Sequence, residues 1–300
     1  MTDSSITYSI VPGFFQQSGP TTKEESFDYT KTNFGLTLDE IEKVNASPTD
    51  PPPWQRFTTY INNLNNSSPP GTSYKLLFLA RHGQGDHNVA ESKFGTKAWD
   101  DHYSLLDSHD GLTFFDAHLT TLGIEQARAV HDFWTSQLRD AKMPAPESYY
   151  CSPLFRCLQT AETTFKGLDL PSDRPFKPKV KELLRECIGI HTCDRRSPLT
   201  HLRSSFPGFS FPEDMAEEDE MWRADFRETD NDMLPRFKEL LDNVFIHDGA
   251  TFVSFTAHSG AIKALLTVLG HRAWVLPTGG VVPVFVKAER GDGGRLPKVG

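Results

Sequence analysis

The feature that most constrains this chain is an apolar run, Leu76-Leu77-Phe78-Leu79-Ala80, that stops abruptly in Arg81-His82-Gly83-Gln84-Gly85-Asp86-His87-Asn88. A short apolar segment closed by glycine and polar residues reads as a strand buried on both faces, the mark of a parallel sheet covered by helices. Arg81 and His82 then sit at the carboxyl end of a central strand, where open α/β sheets place their ligand crevice. Gly83 is expected to let the backbone turn tightly there. An imidazole beside a permanently charged guanidinium suits the capture of a phosphoryl group, one attacking while the other holds oxygens. Alone, the triplet is a weak signal and reads equally as a solvated strand terminus.

Three further strand ends repeat the pattern. A second strand, about residues 147–151, is followed by Ser152-Pro153-Leu154-Phe155-Arg156, which offers Arg156 from the first turn of a helix. A third, within residues 178–184, leads to Arg185-Glu186. A fourth, residues 251–257, ends in His258-Ser259-Gly260, with the amides of a helix start beside the imidazole. In a parallel sheet these ends share one edge, so Arg81, His82, Arg156, Glu186 and His258 converge although they are distant in sequence. Singly, each has a plainer reading. Arg156 could pair with a carboxylate on a helix surface, His258 could be a core histidine, and Glu182 lies one turn from Glu186. His87, His191 and Arg195 read as pocket lining or as solvated loop and stand outside the set.

Alternating strands and helices predict a three-layer α/β/α sandwich with a mostly parallel central sheet. Helices are expected at about 119–138 (with a threonine cap), 154–165, 231–245 and 260–269, and a last strand at 281–286. Residues 100–111 read as a surface loop. Residues 1–72 are rich in proline and turn residues, yet Phe14, Phe15, Phe27, Tyr29, Phe34, Trp54, Phe57 and Tyr60 are too many aromatics for a disordered tail. This stretch is therefore expected to wrap over a main domain, 73–300, with a short helix at about 54–64. Residues 187–235 read as a lid insertion, and the acidic run 213–220 as its solvent-facing surface.

The 300 residues, 37% hydrophobic, can bury a sizeable core. A formal net charge of −9 argues against non-specific nucleic-acid binding, although a local Arg and His cluster can still hold a small anion. No stretch approaches the roughly 20 apolar residues that span a bilayer, and the amino terminus lacks a signal-peptide pattern, so a cytoplasmic or nuclear location and no membrane partner are expected. Cys151, Cys157, Cys187 and Cys193 read as reduced thiols. His191 with Cys193 is too sparse for a zinc site.

Taken as a set, Arg81-His82-Gly83, Ser152-Pro153-Leu154-x-Arg156, Leu184-Arg185-Glu186 and His258 resemble the histidine phosphatase superfamily, specifically its phosphoglycerate mutase-like branch, over about residues 74–287. The aromatic extension and the run from Glu186 to Arg196 further resemble a fungal group of mutase-like phosphatases. The acid phosphatase and phytase branch carries Arg and Pro where this chain has Gly85 and His87. The resemblance implies catalytic roles for His82 (the residue phosphorylated), Glu186 (proton donor, then base) and His258. It implies substrate binding by Arg81, Arg156 and Asn88, with His258 also on the phosphoryl oxygens. The substrate would be a small phosphorylated metabolite, with no cofactor and no metal, since cationic side chains supply the charge stabilisation. Phosphoryl transfer by a mutase is the nearer alternative. A serine hydrolase built on Ser259 and a non-enzymatic anion-binding module are more distant ones.

Overall fold

The computed structural model describes residues 6–37, 51–291 and 293–298, so Ser47 to Asp50 of the proline-rich run lie outside the described residues. A six-stranded sheet forms the middle layer. In spatial order it runs β1 (Ile6–Ile10), β8 (Val281–Arg290), β2 (Thr72–Arg81), β7 (Phe252–Ala257), β5 (Ser148–Cys151) and β6 (Lys179–Val180). The four strands from β2 to β6 are parallel, and β8 and β1 add antiparallel at the far edge. The last strand is longer than expected, running on to Arg290 because its far end pairs with both β1 and the start of β2.

Alternate side chains of β2 leave the sheet on opposite faces. Leu77 and Leu79 pack with Phe237, Leu241 and Val244 of α7 (Asp230–His247) and with Ile262 and Leu265 of α8 (Ser259–Val268). Leu76 and Phe78 pack with Trp54, Phe57 and Ile61 of α1 (Pro53–Ser67) and with Val130 and Trp134 of α4 (Thr121–Arg139). Burial on both faces is why this strand reads as an unbroken apolar run. Thr120 caps α4 through the Gly123 amide at 3.1 Å.

The amino-terminal stretch belongs to the second of these cores. Phe14, Phe34, Trp54 and Phe57 are all buried to 1% exposure or less, each such ring contributing about 1.5–3 kcal/mol of transfer free energy. Phe34 takes a left-handed φ of 61° and is held there by rings of Phe78, Phe133 and Trp134 within 5.4 Å.

Two segments expected to be surface loop are more ordered. Within 100–111 the chain finishes α3 (Thr96–Asp101) and begins a tight hairpin, β3 (Ser108–His109) with β4 (Leu112–Thr113). α2 (Asp86–Phe94) precedes it, and Trp99 is buried against Phe114. The insertion after Arg185 holds only one short α-helix, α6 (Leu199–Ser205). Its acidic run is not simply solvent-facing. The Asp219 side chain is 4% exposed and clamps Arg185, while the carbonyls of Ala216, Glu217 and Glu218 accept from the buried Arg196 guanidinium. A cationic group buried by tertiary packing has drawn part of the run inward.

Candidate active site

Strand register decides which residues meet. Arg81 lies level with Ala257, and Cys151 level with both Thr256 and Val180. The next residues extend the ladder: His82 N donates to Ala257 O at 3.0 Å, Ser152 N to Thr256 O at 3.0 Å and Lys181 N to Cys151 O at 2.9 Å. His82, His258 and Ser152 therefore share one line at the carboxyl edge. Here a cavity of about 400 Å³ opens, lined by Arg81, His82, His87, Asn88, Arg156 and Glu186 among others.

His82 is 2% exposed. Its Nδ1 lies 2.7 Å from Gly83 O, and Arg156 Nε donates toward its Nε2 at 3.3 Å. Those partners place the proton on Nδ1 and leave Nε2 with its lone pair. Burial, then Arg156 and Arg81, hold this imidazole well below the usual histidine range, so it is neutral. Gly83 serves a purpose other than the tight turn expected: a Cβ there would lie 2.3 Å from Gly123 O, so its missing side chain lets the motif seat on the start of α4.

Arg156 comes from the first turn of α5 (Phe155–Phe165), whose Phe155 amide is capped by the buried Asp116 at 2.8 Å. Its guanidinium pairs with Asp194 Oδ1 at 3.0 Å and donates to Cys193 O. The carboxylate partner of the plainer reading thus exists, but the pair is buried beside His82 and not on a helix surface. Arg81 donates to Leu276 O at 2.8 Å, and its Nε is buried without a partner. Asn88 spends Oδ1 on the Gly85 amide at 3.0 Å, which leaves its amide nitrogen as the group that can donate.

Glu186 lines the cavity, whereas Glu182 is engaged by Arg185 and Arg196. Glu186 Oε2 accepts from Gly260 N at 2.9 Å and Oε1 from Cys187 N at 3.0 Å. The helix amino end expected to receive a phosphate therefore holds Glu186. Burial, seconded by the charge of Asp194, raises this carboxyl despite the two amides.

His258 departs from expectation. It is fully buried, its ring 5.1 Å from that of His82, with Nε2 2.8 Å from Ser152 Oγ, and it is absent from the cavity wall. It stands against His82, and burial, then the charge of Arg156, holds its imidazole well below the usual histidine range. Ser259 is exposed, and its nearest downstream imidazole, His271, is bonded to Ser18 Oγ at 3.0 Å. The parts of a serine triad are not assembled.

Of the three residues read as pocket lining or solvated loop, His87 and His191 line the cavity, while Arg195 stacks on Phe115 and Trp222 outside it. Asp194 and Arg227 also line it, joined by an ion pair at 3.4 Å. His191, Cys193 and Asp194 bring donor atoms within 4.8 Å of one another, closer than their spacing suggested. Asp194 is committed to two guanidiniums, and burial with the Asp194 charge pushes the Cys193 thiol well up. That chemistry disfavours a bound cation.

The geometry agrees with the comparisons. Residues 114–275 match the model of the histidine phosphatase superfamily, branch 1. A probable phosphoglycerate mutase of Arthroderma benhamiae is 47% identical over 95% of this chain and 85% of its own length. The phosphomutase-like protein 3 of Candida albicans is 34% identical over 94% of this chain and 80% of its own. The probable phosphoglycerate mutase PMU1 of Saccharomyces cerevisiae is 32% identical over 97% and 100%. The chain belongs to the histidine phosphatase superfamily, in its phosphoglycerate mutase-like branch. No helix among the described residues is long and apolar enough to cross a membrane.

Proposed function

We propose that the protein is a metal-independent phosphatase that hydrolyses a small phosphate monoester through a phosphohistidine on His82. The observation that carries this reading is the buried His82 imidazole, fixed with Nδ1 at 2.7 Å from Gly83 O and Nε2 at 3.3 Å from Arg156 Nε, in one cavity with Arg81 and Glu186. Nε2 attacks phosphorus, the N–P bond forms and the ester P–O bond breaks, its electron pair passing to the leaving oxygen. Glu186, whose carboxyl is raised by burial, gives that oxygen its proton. Gly83 O supports the imidazolium that results, through Nδ1–H. Arg81 and Arg156 hold the charge on the phosphoryl oxygens, the part a metal ion plays in other phosphoryl-transfer sites. Glu186 then takes a proton from water, whose oxygen attacks phosphorus while the N–P pair returns to Nε2. His258 acts through His82, as a positioning residue.

Phosphoryl transfer back to an acceptor, as the names of two relatives suggest, is the second reading. Rapid quench with a panel of phosphorylated metabolites tests both. Acid-labile, base-stable phosphate should appear on the wild type and not on His82→Ala, with inorganic phosphate as the product. Phosphate moving between glycerate positions without release would mark a mutase, and no phosphoenzyme with any ester would refute the mechanism.

A further inference from the structure

His87 has no place in the mechanism above, yet its side chain is built into the same cavity. It is 8% exposed, on the first turn of α2, with its ring centroid 5.4 Å from that of His82. Two observations give its orientation. A Cβ on Gly85 would lie 2.8 Å from His87 Nδ1 and 2.9 Å from Cε1, so the Nδ1–Cε1 edge lies over the bare backbone of Gly85. The ring lines the catalytic cavity, and the edge left to face it carries Nε2. Gly85 makes this seat possible, for any side chain there would push the ring out of place.

The protonation state follows from the surroundings. Nδ1 is buried and has no hydrogen-bond partner. An orphaned N–H is less tolerable than an orphaned lone pair, so the proton belongs on Nε2, toward the cavity. Burial, then the charges of Arg156, His82, Arg81 and His191, keep the ring neutral. A neutral Nε2–H beside the attacking imidazole of His82, in a cavity whose cations draw in a dianion, has one evident acceptor.

We propose that His87 is a phosphoryl-group ligand, donating from Nε2 to a non-bridging oxygen of the bound phosphate ester and of the phosphohistidine that follows. The inference rests on the phosphatase reading and deepens it: Arg81 and Arg156 supply charge, and His87 supplies a directional donor that the sequence alone left open between pocket wall and solvated loop. It also gives a use to the glycine at position 85, which the turn does not require, since its φ of −106° is open to any residue.

Orthovanadate and inorganic phosphate binding to the full-length protein, measured by calorimetry, tests this independently of turnover. His87→Ala and His87→Asn should each weaken binding about 10- to 100-fold, the usual worth of a hydrogen bond to a charged group. His87→Gln should recover much of it, because a glutamine amide nitrogen reaches the Nε2 position while an asparagine amide reaches only Nδ1. Melting temperatures within a few degrees of wild type for all three would show that packing is not the cause. Binding by His87→Ala within twofold of wild type overturns the proposal while leaving His82 chemistry intact. Asparagine serving as well as glutamine overturns it too, by showing a packing role. If wild type itself binds neither anion and forms no phosphoenzyme, the phosphatase reading falls and this inference with it.

Discussion

The strand-end edge and the insertion that roofs it are held by different forces. His82, His258 and Ser152 are fixed by continuation of the sheet ladder and by burial between two apolar cores. The insertion has no strand in the main sheet; Leu202, Phe206 and Phe209 pack it against α5 and β6, and arginines pin the part nearest the cavity. Arg185 takes Asp219 and Glu182, Arg196 takes Glu182 and four carbonyls, Arg227 takes Asp194, and Arg236 takes Glu228 with the carbonyls of Leu183, Arg185 and Glu186. Backbone hydrogen bonds hold geometry whatever the side chains become; a guanidinium network holds it only while every partner is present. His82, the proposed nucleophile, thus stands on the rigid half. Glu186, the proposed acid, stands at the seam between the two, beside Arg236, and specificity is expected from the arginine-pinned half.

The largest expected effect lies at that seam. Glu186→Gln should lower kcat/KM by about 10²- to 10⁴-fold and remove the alkaline limb of its pH profile. The sign follows from the two shifts. The Glu186 carboxyl is raised, so its proton is lost only as pH climbs through that raised value. The His82 imidazole is depressed, so it remains a nucleophile well below the usual histidine range. Wild-type activity should therefore peak between the depressed His82 value and the raised Glu186 value. A profile for Glu186→Gln that keeps both limbs would assign the proton to another group.

Next in size are two losses of stability that separate the halves. Phe78→Ala should cost about 3–5 kcal/mol by opening a cavity in the sheet core, read as a uniform fall in the urea midpoint. Asp219→Asn should cost less, about 2–3 kcal/mol, by leaving the buried Arg185 with Glu182 as its remaining carboxylate. Its signature differs: hydrogen exchange should rise across the insertion first and leave β2 and β7 protected. Burial alone would raise the Asp219 carboxyl, but Arg185 holds it below its ordinary range. Its contribution is therefore present above the ordinary carboxylate range and lost only as pH falls through the lowered value, so the insertion stays closed across the expected activity range. Loss of protection in the sheet at the same denaturant as in the insertion would show that the two halves are one unit. The smallest effect belongs to Lys97→Ala, which breaks an exposed helical pair with Asp101; thermal unfolding should register less than about 0.5 kcal/mol.

How much was legible in advance divides along the same line. Arg81, His82, Arg156 and Glu186 were readable because each follows a strand whose apolar run or flanking turn marks its end, and parallel strand ends must share an edge. The roof was not readable. Asp219 is 34 residues from Arg185 and Asp194 is 38 from Arg156, and no local period links such partners. The acidic run 213–220 looked like surface because charge in sequence says nothing of a guanidinium waiting inside. His87 read equally as pocket wall or solvated loop because what turns it inward is the bare backbone of Gly85 and the wall formed around it.

By itself, then, the sequence determined the sheet, its covering layers and the edge where the chemistry collects, since apolar periodicity and strand termini are local properties of the chain. Only the tertiary structure decided which carboxylate faces the cavity, that His258 stands against His82 and off the cavity wall, and which arginines are spent on holding the roof. Those choices depend on desolvation and on partners distant in sequence, quantities that exist only once the chain has closed on itself.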